Sequence, residues 1–189
     1  MSNTSNHTAL TKKLVLGTEN RIGVTESSEI AFNLDAFDRL YKGNIIITKR
    51  LTGKLIEKLL EHQDKIILHL TVTGMGGSLI EPFVPKYEET FVKTQKLIDN
   101  GFPIEHIVLR VDPIVPTNKG VETATSVIRH FGGLGIKRIR ISFLDNYKHV
   151  RERFKDIGVE LYGGNFHASL DDRLKALNVI EECAKECGF

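Results

Sequence analysis

The stretch Ile66-Ile-Leu-His-Leu-Thr-Val-Thr-Gly-Met-Gly-Gly77 decides the fold of this chain. Its first seven residues are mostly apolar or β-branched, which predicts a buried strand from Ile66 to Val72. The glycines that follow lack side chains and allow positive φ angles, so a loop begins where the strand ends. A helical pattern then covers 86–100, and a second apolar run covers 107–112. Strand, loop, helix and strand in this order predict a parallel βαβ unit.

The same alternation continues on both sides of this unit. Further strands are predicted at 13–17, 44–48 and 138–143, and further helices at 27–41, 52–63, 120–131, 145–154 and 169–187. Strands that alternate with helices indicate a parallel sheet with right-handed crossovers. A closed barrel and an open doubly wound sheet both fit, and both bind ligands at the carboxyl ends of their strands.

The prediction for the fold is an α/β protein with a partial parallel (β/α) barrel of about five to six βα units, in the manner of a TIM barrel. No strand follows the last predicted helix, although an alternating fold calls for one. We therefore expect either a fragment, truncated at its carboxyl end, or a partial barrel that something else completes. One domain is predicted over 12–189, preceded by a polar, loose terminus over 1–11.

The composition is that of an ordinary globular protein. Hydrophobic residues make up 41% of the 189 residues and charged residues 26%, and the formal net charge of +2 is not the basic footprint of a nucleic-acid binder. No apolar run approaches the roughly 20 residues of a membrane span, and no signal peptide is recognisable. Two cysteines at helical spacing argue against a disulfide framework, so a cytoplasmic protein without a membrane partner is expected.

Charged and hydroxyl side chains lie near the carboxyl ends of the predicted strands or just after them. They are Lys49, Thr71, Thr73, Arg110, Asp112, Ser142 and Asp145. Arg110 and Asp112 share one face of a strand, and a buried strand does not normally carry two charges. Arg110 is either a bidentate carboxylate ligand or half of an internal ion pair with Asp112. Lys49 is either a ligand for a carboxylate or phosphate or a solvated charge.

Other motifs carry less information. No histidines or carboxylates have the spacing of a metal site, and no nucleophile elbow occurs. The glycine loop 74–77 matches neither a Walker loop nor a dinucleotide fingerprint, so an anion cradle and a plain turn remain open. The pair Cys183 and Cys187 begins a CxxxCxxC cluster motif, but its helical setting favours coincidence.

Five segments together resemble an uncharacterised bacterial family, the domain of unknown function 1848. They are Asn44-Ile-Ile-Ile-Thr-Lys49, Leu70-Thr-Val-Thr73, Ile80-Glu-Pro-Phe-Val-Pro85, Leu109-Arg-Val-Asp-Pro-Ile114 and Ile141-Ser-Phe-Leu-Asp-Asn-Tyr-Lys148. More distantly, they are similar to spore photoproduct lyase and related radical S-adenosylmethionine (SAM) proteins. The resemblance implies a parallel (β/α) barrel with SAM across the strand ends. It also implies a [4Fe-4S] cluster, held by three cysteines, that cleaves SAM reductively.

The resemblance also assigns site residues. It implies that Lys49 meets the SAM carboxylate and that Thr71 or Thr73 is the hydroxyl residue of the next strand. The remaining cofactor-binding positions that it implies are Arg110, Asp112 and Ser142, with Glu81 and Asp145 as further pocket residues. A zwitterionic amino acid needs a cation for its carboxylate and acceptors for its ammonium group, which agrees with this set.

The cysteines depart from the family pattern. Leu16-Gly-Thr-Glu-Asn-Arg21 has no cluster cysteines, and the carboxyl-terminal cysteines of the family have no counterpart here. A [4Fe-4S] cluster is therefore expected only if cysteines beyond this chain exist. The leading prediction is a radical-SAM-like enzyme that modifies or repairs a nucleic acid or nucleotide. The alternatives are a cluster-free barrel enzyme acting on a phosphorylated or carboxylated small molecule, and a non-catalytic binding or assembly protein on a barrel scaffold.

Overall fold

A computed structural model describes residues 29–40 and 43–189 of the chain. It contains the strands β1 (Asn44–Thr48), β2 (Ile66–Thr71), β3 (Ile107–Ile114) and β4 (Ile139–Phe143). Its α-helices are α1 (Gly53–Glu61), α2 (Tyr87–Asp99), α3 (Asn118–Gly132), α4 (Lys148–Asp156) and α5 (Leu170–Glu186). The predicted strand at 13–17 and the predicted loose terminus over 1–11 lie outside the described residues. Among the described helices, none has the length and apolar character needed to cross a membrane.

The four described strands form one parallel sheet in the order β1-β2-β3-β4. Each pair of neighbouring strands is joined by a connection that contains a helix, as the sequence predicts. The prediction of a partial barrel of five to six units is wrong, because the described residues form four strands in an open sheet, with β1 and β4 as the outermost of these four. Closure requires hydrogen bonds between the first and last strands, and alternation of strand and helix carries no information about that pairing.

The main core lies on one face of the sheet, which we call the helical face. Buried strand residues on this face, such as Leu68, Leu70 and Leu109, belong to one cluster with helix residues. The helix residues of that cluster include Leu55 and Leu59 of α1, Leu97 of α2, Val127 and Phe131 of α3, and Ile180 of α5. Residues at alternate positions of the strands point to the opposite side, which we call the open face.

Several local predictions need correction. The helix predicted over 27–41 is instead two short 3-10 turns, Ile30–Phe32 and Leu34–Arg39, within the described residues. The predicted cap Asp145 is also wrong: α4 begins at Lys148, its N-cap is Tyr147, and no side chain caps it. The Asp145 carboxylate instead contacts His167 across the loop that precedes α5. A polar residue before a helical pattern is only a candidate cap, because a tertiary partner can compete for its side chain.

Candidate ligand-binding site at the strand ends

The open face of the sheet changes from apolar to polar along the strands. One row across the sheet consists of Ile47, His69 and Val108, which are paired in register. Two residues further along, Thr71 on β2 pairs with Arg110 on β3, and Arg110 pairs with Arg140 on β4. The parallel register therefore brings polar side chains from three strands into one row of the open face, level with the carboxyl end of β2.

Arg110, Asp112 and Ser142 form one hydrogen-bonded group. The Arg110 Nε donates to Asp112 Oδ2 over 2.6 Å, and an Arg110 terminal nitrogen lies 2.5 Å from the same oxygen. The Ser142 hydroxyl donates to the other oxygen, Asp112 Oδ1. The group joins β3 to β4, and both ionic side chains are largely sheltered from solvent. A guanidinium has five N–H donors, so Arg110 keeps donors for a further partner.

Glu81 is the centre of a second group. One of its carboxylate oxygens accepts from Lys49 Nζ, and the other accepts from the Thr73 hydroxyl. Lys49 directly follows β1, and Thr73 lies just past β2. Glu81 thus links the ends of two neighbouring strands. The sequence does not indicate a role for Glu81. In the structure its carboxylate is mostly buried and forms an ion pair with Lys49.

The glycine loop 74–77 holds Glu81 in this place. The Gly77 N–H donates to the Glu81 carbonyl over 3.0 Å, and the Met75 N–H donates to the Thr73 hydroxyl over 3.1 Å. At Gly76 a Cβ atom would lie 1.9 Å from the Pro85 carbonyl oxygen, so no side chain fits there. Two of the loop's N–H groups are therefore used within the loop itself. The geometry favours the plain turn over the anion cradle.

Thr71 presents an unpaired donor at this site. It is 5% exposed, and its hydroxyl has no hydrogen-bond partner among the described residues. Strand alternation places it on the open face, beside Arg110 on β3. A buried hydroxyl without a partner costs free energy, on the order of 1–3 kcal/mol. Such a group at the centre of a polar row marks a place where a ligand atom can bind.

Asp145 lies apart from both groups. Its Oδ1 is 2.9 Å from His167 Nδ1, and among the described residues it makes no hydrogen bond or ion pair with Arg110, Ser142 or another predicted site residue. The neighbouring Tyr162 donates to the Leu144 carbonyl over 3.0 Å. Burial, with a smaller contribution from the Asp145 charge, raises the pKa of Tyr162 to about 12. Tyr162 therefore stays protonated at neutral pH and holds the loop 161–167 against the end of β4.

The two cysteines do not suit an iron–sulfur cluster. Cys183 is buried in α5, against the carbonyl of Thr125 on α3, and Cys187 is the C-cap of the same helix. Burial raises the pKa of Cys183, which disfavours the thiolate that binds iron. Within 29–40 and 43–189, no group of three or more histidine, cysteine or acidic residues could hold a metal ion. A cluster needs three thiolates, and this chain has two cysteines.

Sequence reasoning missed two residues near the site. Glu29 accepts from the Lys49 backbone N–H over 3.0 Å and from the Thr48 hydroxyl. Nothing in the sequence around Glu29 indicates this contact, because it is separated from β1 along the chain. Arg140 is different, since it shares strand parity with Ser142 and the alternation rule applied to 138–143 could have found it.

Comparison with known proteins agrees with part of the resemblance. A family model described as a domain of unknown function, DUF1848, matches residues 27–188. No curated protein matches, and no solved structure matches. The likeness to spore photoproduct lyase and other radical SAM proteins is not among these findings and stays a prediction. Because the matched range covers most of the chain, this protein belongs to the uncharacterised DUF1848 family.

Proposed function

We propose that the carboxyl end of the open face binds a small zwitterionic ligand of the amino-acid type, and that SAM is the first such ligand to test. The observation that carries the proposal is the unpaired Thr71 hydroxyl, on a strand residue that is in register with Arg110 and two residues before Thr73, a partner of Glu81. Two ion pairs hold the charges at these strand ends. These pairs are Lys49 with Glu81 and Arg110 with Asp112. On this reading the chain is the ligand-binding part of an enzyme.

The charges suit both ends of an amino acid. A carboxylate takes the free N–H donors of Arg110 and the Thr71 hydroxyl, since both groups lie in one row of the sheet. An ammonium group takes carboxylate oxygens of Asp112 or Glu81, which already accept hydrogen bonds from neutral hydroxyls. Both pairs are formed before the ligand binds, so little side-chain conformational freedom is lost on binding.

SAM is preferred within this ligand class because of the sequence resemblance alone. The adenosine part of SAM would have to lie elsewhere along the strand ends, and no residue is assigned to it. The two cysteines of this chain are too few for the three thiolates of a [4Fe-4S] cluster, so the proposal for this chain is limited to ligand binding. Modification of a nucleic acid or nucleotide remains part of the proposal. It requires a [4Fe-4S] cluster, and therefore cysteines beyond the two of this chain.

Equilibrium binding measured by isothermal titration calorimetry tests the proposal. We expect SAM and S-adenosylhomocysteine to bind, and methylthioadenosine, which lacks the amino-acid group, to bind at least about tenfold more weakly, about 1.4 kcal/mol. Asp112→Asn should weaken SAM binding by a similar factor, because an amide cannot replace the anionic acceptor. The matched control is Asp156→Asn, an exposed aspartate at the end of α4.

Two results would count against the proposal. Equal affinity for SAM and methylthioadenosine would mean that the amino-acid group is not recognised. Loss of affinity in Asp156→Asn equal to the loss in Asp112→Asn would mean that the charged group on β3 has no special role. If the folded protein does not bind SAM, SAM is excluded as the ligand. Other zwitterionic amino-acid ligands are then titrated in the same way.

A further inference from the structure

Arg140 is a cation on the open face that the ligand proposal does not use. It lies on the edge strand β4, and its Cα pairs in register with that of Arg110 on β3. Both side chains therefore stand on the same face of the sheet, on strands about 4.8 Å apart. Like charges in adjacent positions of a sheet destabilise it. The fold thus places two guanidinium groups side by side on the open face, in the row that contains Thr71, the last residue of β2.

The neighbouring charges do not neutralise Arg140. Lys49 pairs with Glu81, and Arg110 pairs with Asp112. Arg140 makes no ion pair or hydrogen bond with any residue in the ranges 29–40 and 43–189. Glu81 and Asp112 are matched by Lys49 and Arg110, so neither carboxylate balances the charge of Arg140. An anionic group that binds between the two arginines would supply this balance and reduce their repulsion.

Two guanidinium groups stand in one row on adjacent strands. The proposed ligand carboxylate uses the Thr71 hydroxyl and part of Arg110, which leaves the other N–H groups of Arg110 and the whole guanidinium of Arg140. A carboxylate has two oxygens and is satisfied by one guanidinium fork. A phosphate group has three terminal oxygens, which can each meet one of these donors. The row is therefore better matched to phosphate than to a second carboxylate.

We propose that Arg140, together with Arg110, binds the phosphate group of a substrate at the edge of the open face. The substrate class is then a phosphate-bearing small molecule, of which nucleotides are one kind. This inference rests on the proposed function for its location, but it concerns a different residue and a different ligand group. Arg140 is a specificity-determining residue in this account, since it selects substrates by their charge.

Thermal unfolding in added phosphate tests the inference, with inorganic phosphate as the probe and ionic strength held constant. We expect phosphate to raise the unfolding temperature of the natural chain and acetate to have a smaller effect. Arg140→Gln should lower the apparent phosphate affinity about tenfold or more, since it removes a charged hydrogen-bond donor. Without phosphate, the same variant should unfold at an equal or higher temperature, because the repulsion with Arg110 is gone.

Arg129→Gln is the matched control, because Arg129 is an exposed arginine on α3 and α3 packs against the helical face. It removes the same charge and should keep the full response to phosphate. Arg140→Lys, which retains the charge, should keep part of it. The inference is overturned if phosphate does not stabilise the natural chain, if acetate is as effective, or if Arg129→Gln loses the response equally.

The two proposals can fail separately. If SAM and its relatives do not bind but phosphate stabilises the chain through Arg140, the phosphate site stands and the zwitterion site falls. If SAM binds through Asp112 but phosphate does not stabilise the natural chain, the zwitterion site stands and the phosphate site falls.

Discussion

The two faces of the sheet are built from the same four strands but serve different purposes. On the helical face, residues such as Leu68 and Leu109 are completely buried against helices. On the open face, the alternate residues of β2 are Ile67, His69 and Thr71, which become more polar toward the end of the strand. The side-chain period of two allows a single strand to supply a core on one side and a polar site on the other. The main buried cluster therefore lies on the helical face, and the open face carries the site that we propose for ligand binding.

The largest expected effect is on the helical face. Leu68→Ala should lower the free energy of unfolding by about 2 to 5 kcal/mol, because Leu68 is 0% exposed and truncation leaves a cavity. The matched control is Leu170→Ala, since Leu170 on α5 is 65% exposed and should cost less than about 0.5 kcal/mol. Urea unfolding followed by circular dichroism measures both. Equal losses would show that the helical face is not the main source of stability.

The second effect concerns the loop that supports the open face. Gly76→Ala places a Cβ against the Pro85 carbonyl and should cost about 1 to 3 kcal/mol, because the loop must move. The movement also displaces Glu81, so affinity for the zwitterionic ligand should fall as well. Gly53→Ala is the control, since nothing lies within 4 Å of a Cβ at that position. Denaturant titration and ligand titration on the same samples separate stability from binding. Unchanged binding in Gly76→Ala would contradict the positioning role of the loop.

The smallest effect has the opposite sign. Thr71→Val replaces an unpaired buried hydroxyl with a methyl group of similar shape, so it should stabilise the free protein by about 1 kcal/mol and weaken ligand binding. Thr94→Val is the matched control, because the buried Thr94 hydroxyl donates to the Thr90 carbonyl over 2.7 Å. That variant should lose stability. If both variants change stability in the same direction, the open face does not differ from the core in the way proposed here.

The sequence predicted the elements of the sheet more accurately than their closure. Strands β1 to β4 and helices α1, α2, α3 and α5 lie close to their predicted ranges, because apolar periodicity and caps such as Thr52 act over a few residues. The prediction of a helix over 27–41 was wrong. Ile30, Leu34 and Phe37 have helical spacing, but the described part forms two short 3-10 turns, so this spacing alone did not determine an α-helix.

The candidate site also contains features that the sequence predicted and features that it did not. Arg110 and Asp112 were predicted to share one face of a strand, because side chains alternate along it, and Ser142 was predicted at the end of another strand. The hydrogen bond between Ser142 and Asp112 is a finding of the structure. The bond between Glu81 and Lys49 could not be predicted, since it depends on the path of a loop between strands. Asp145 was predicted as a pocket residue but contacts His167, which lies in a loop that carries no periodic signal.

By itself, the sequence determined a parallel α/β arrangement and the polar residues at the ends of its strands, because both depend on local period and order. Only the tertiary structure decided that the sheet is open, that Glu81 reaches Lys49, and that Arg140 stands beside Arg110 without a partner among the described residues. The physical reason is distance along the chain. Strand pairing, loop path and charge balance arise from contacts between residues far apart in sequence, where local propensity has no influence.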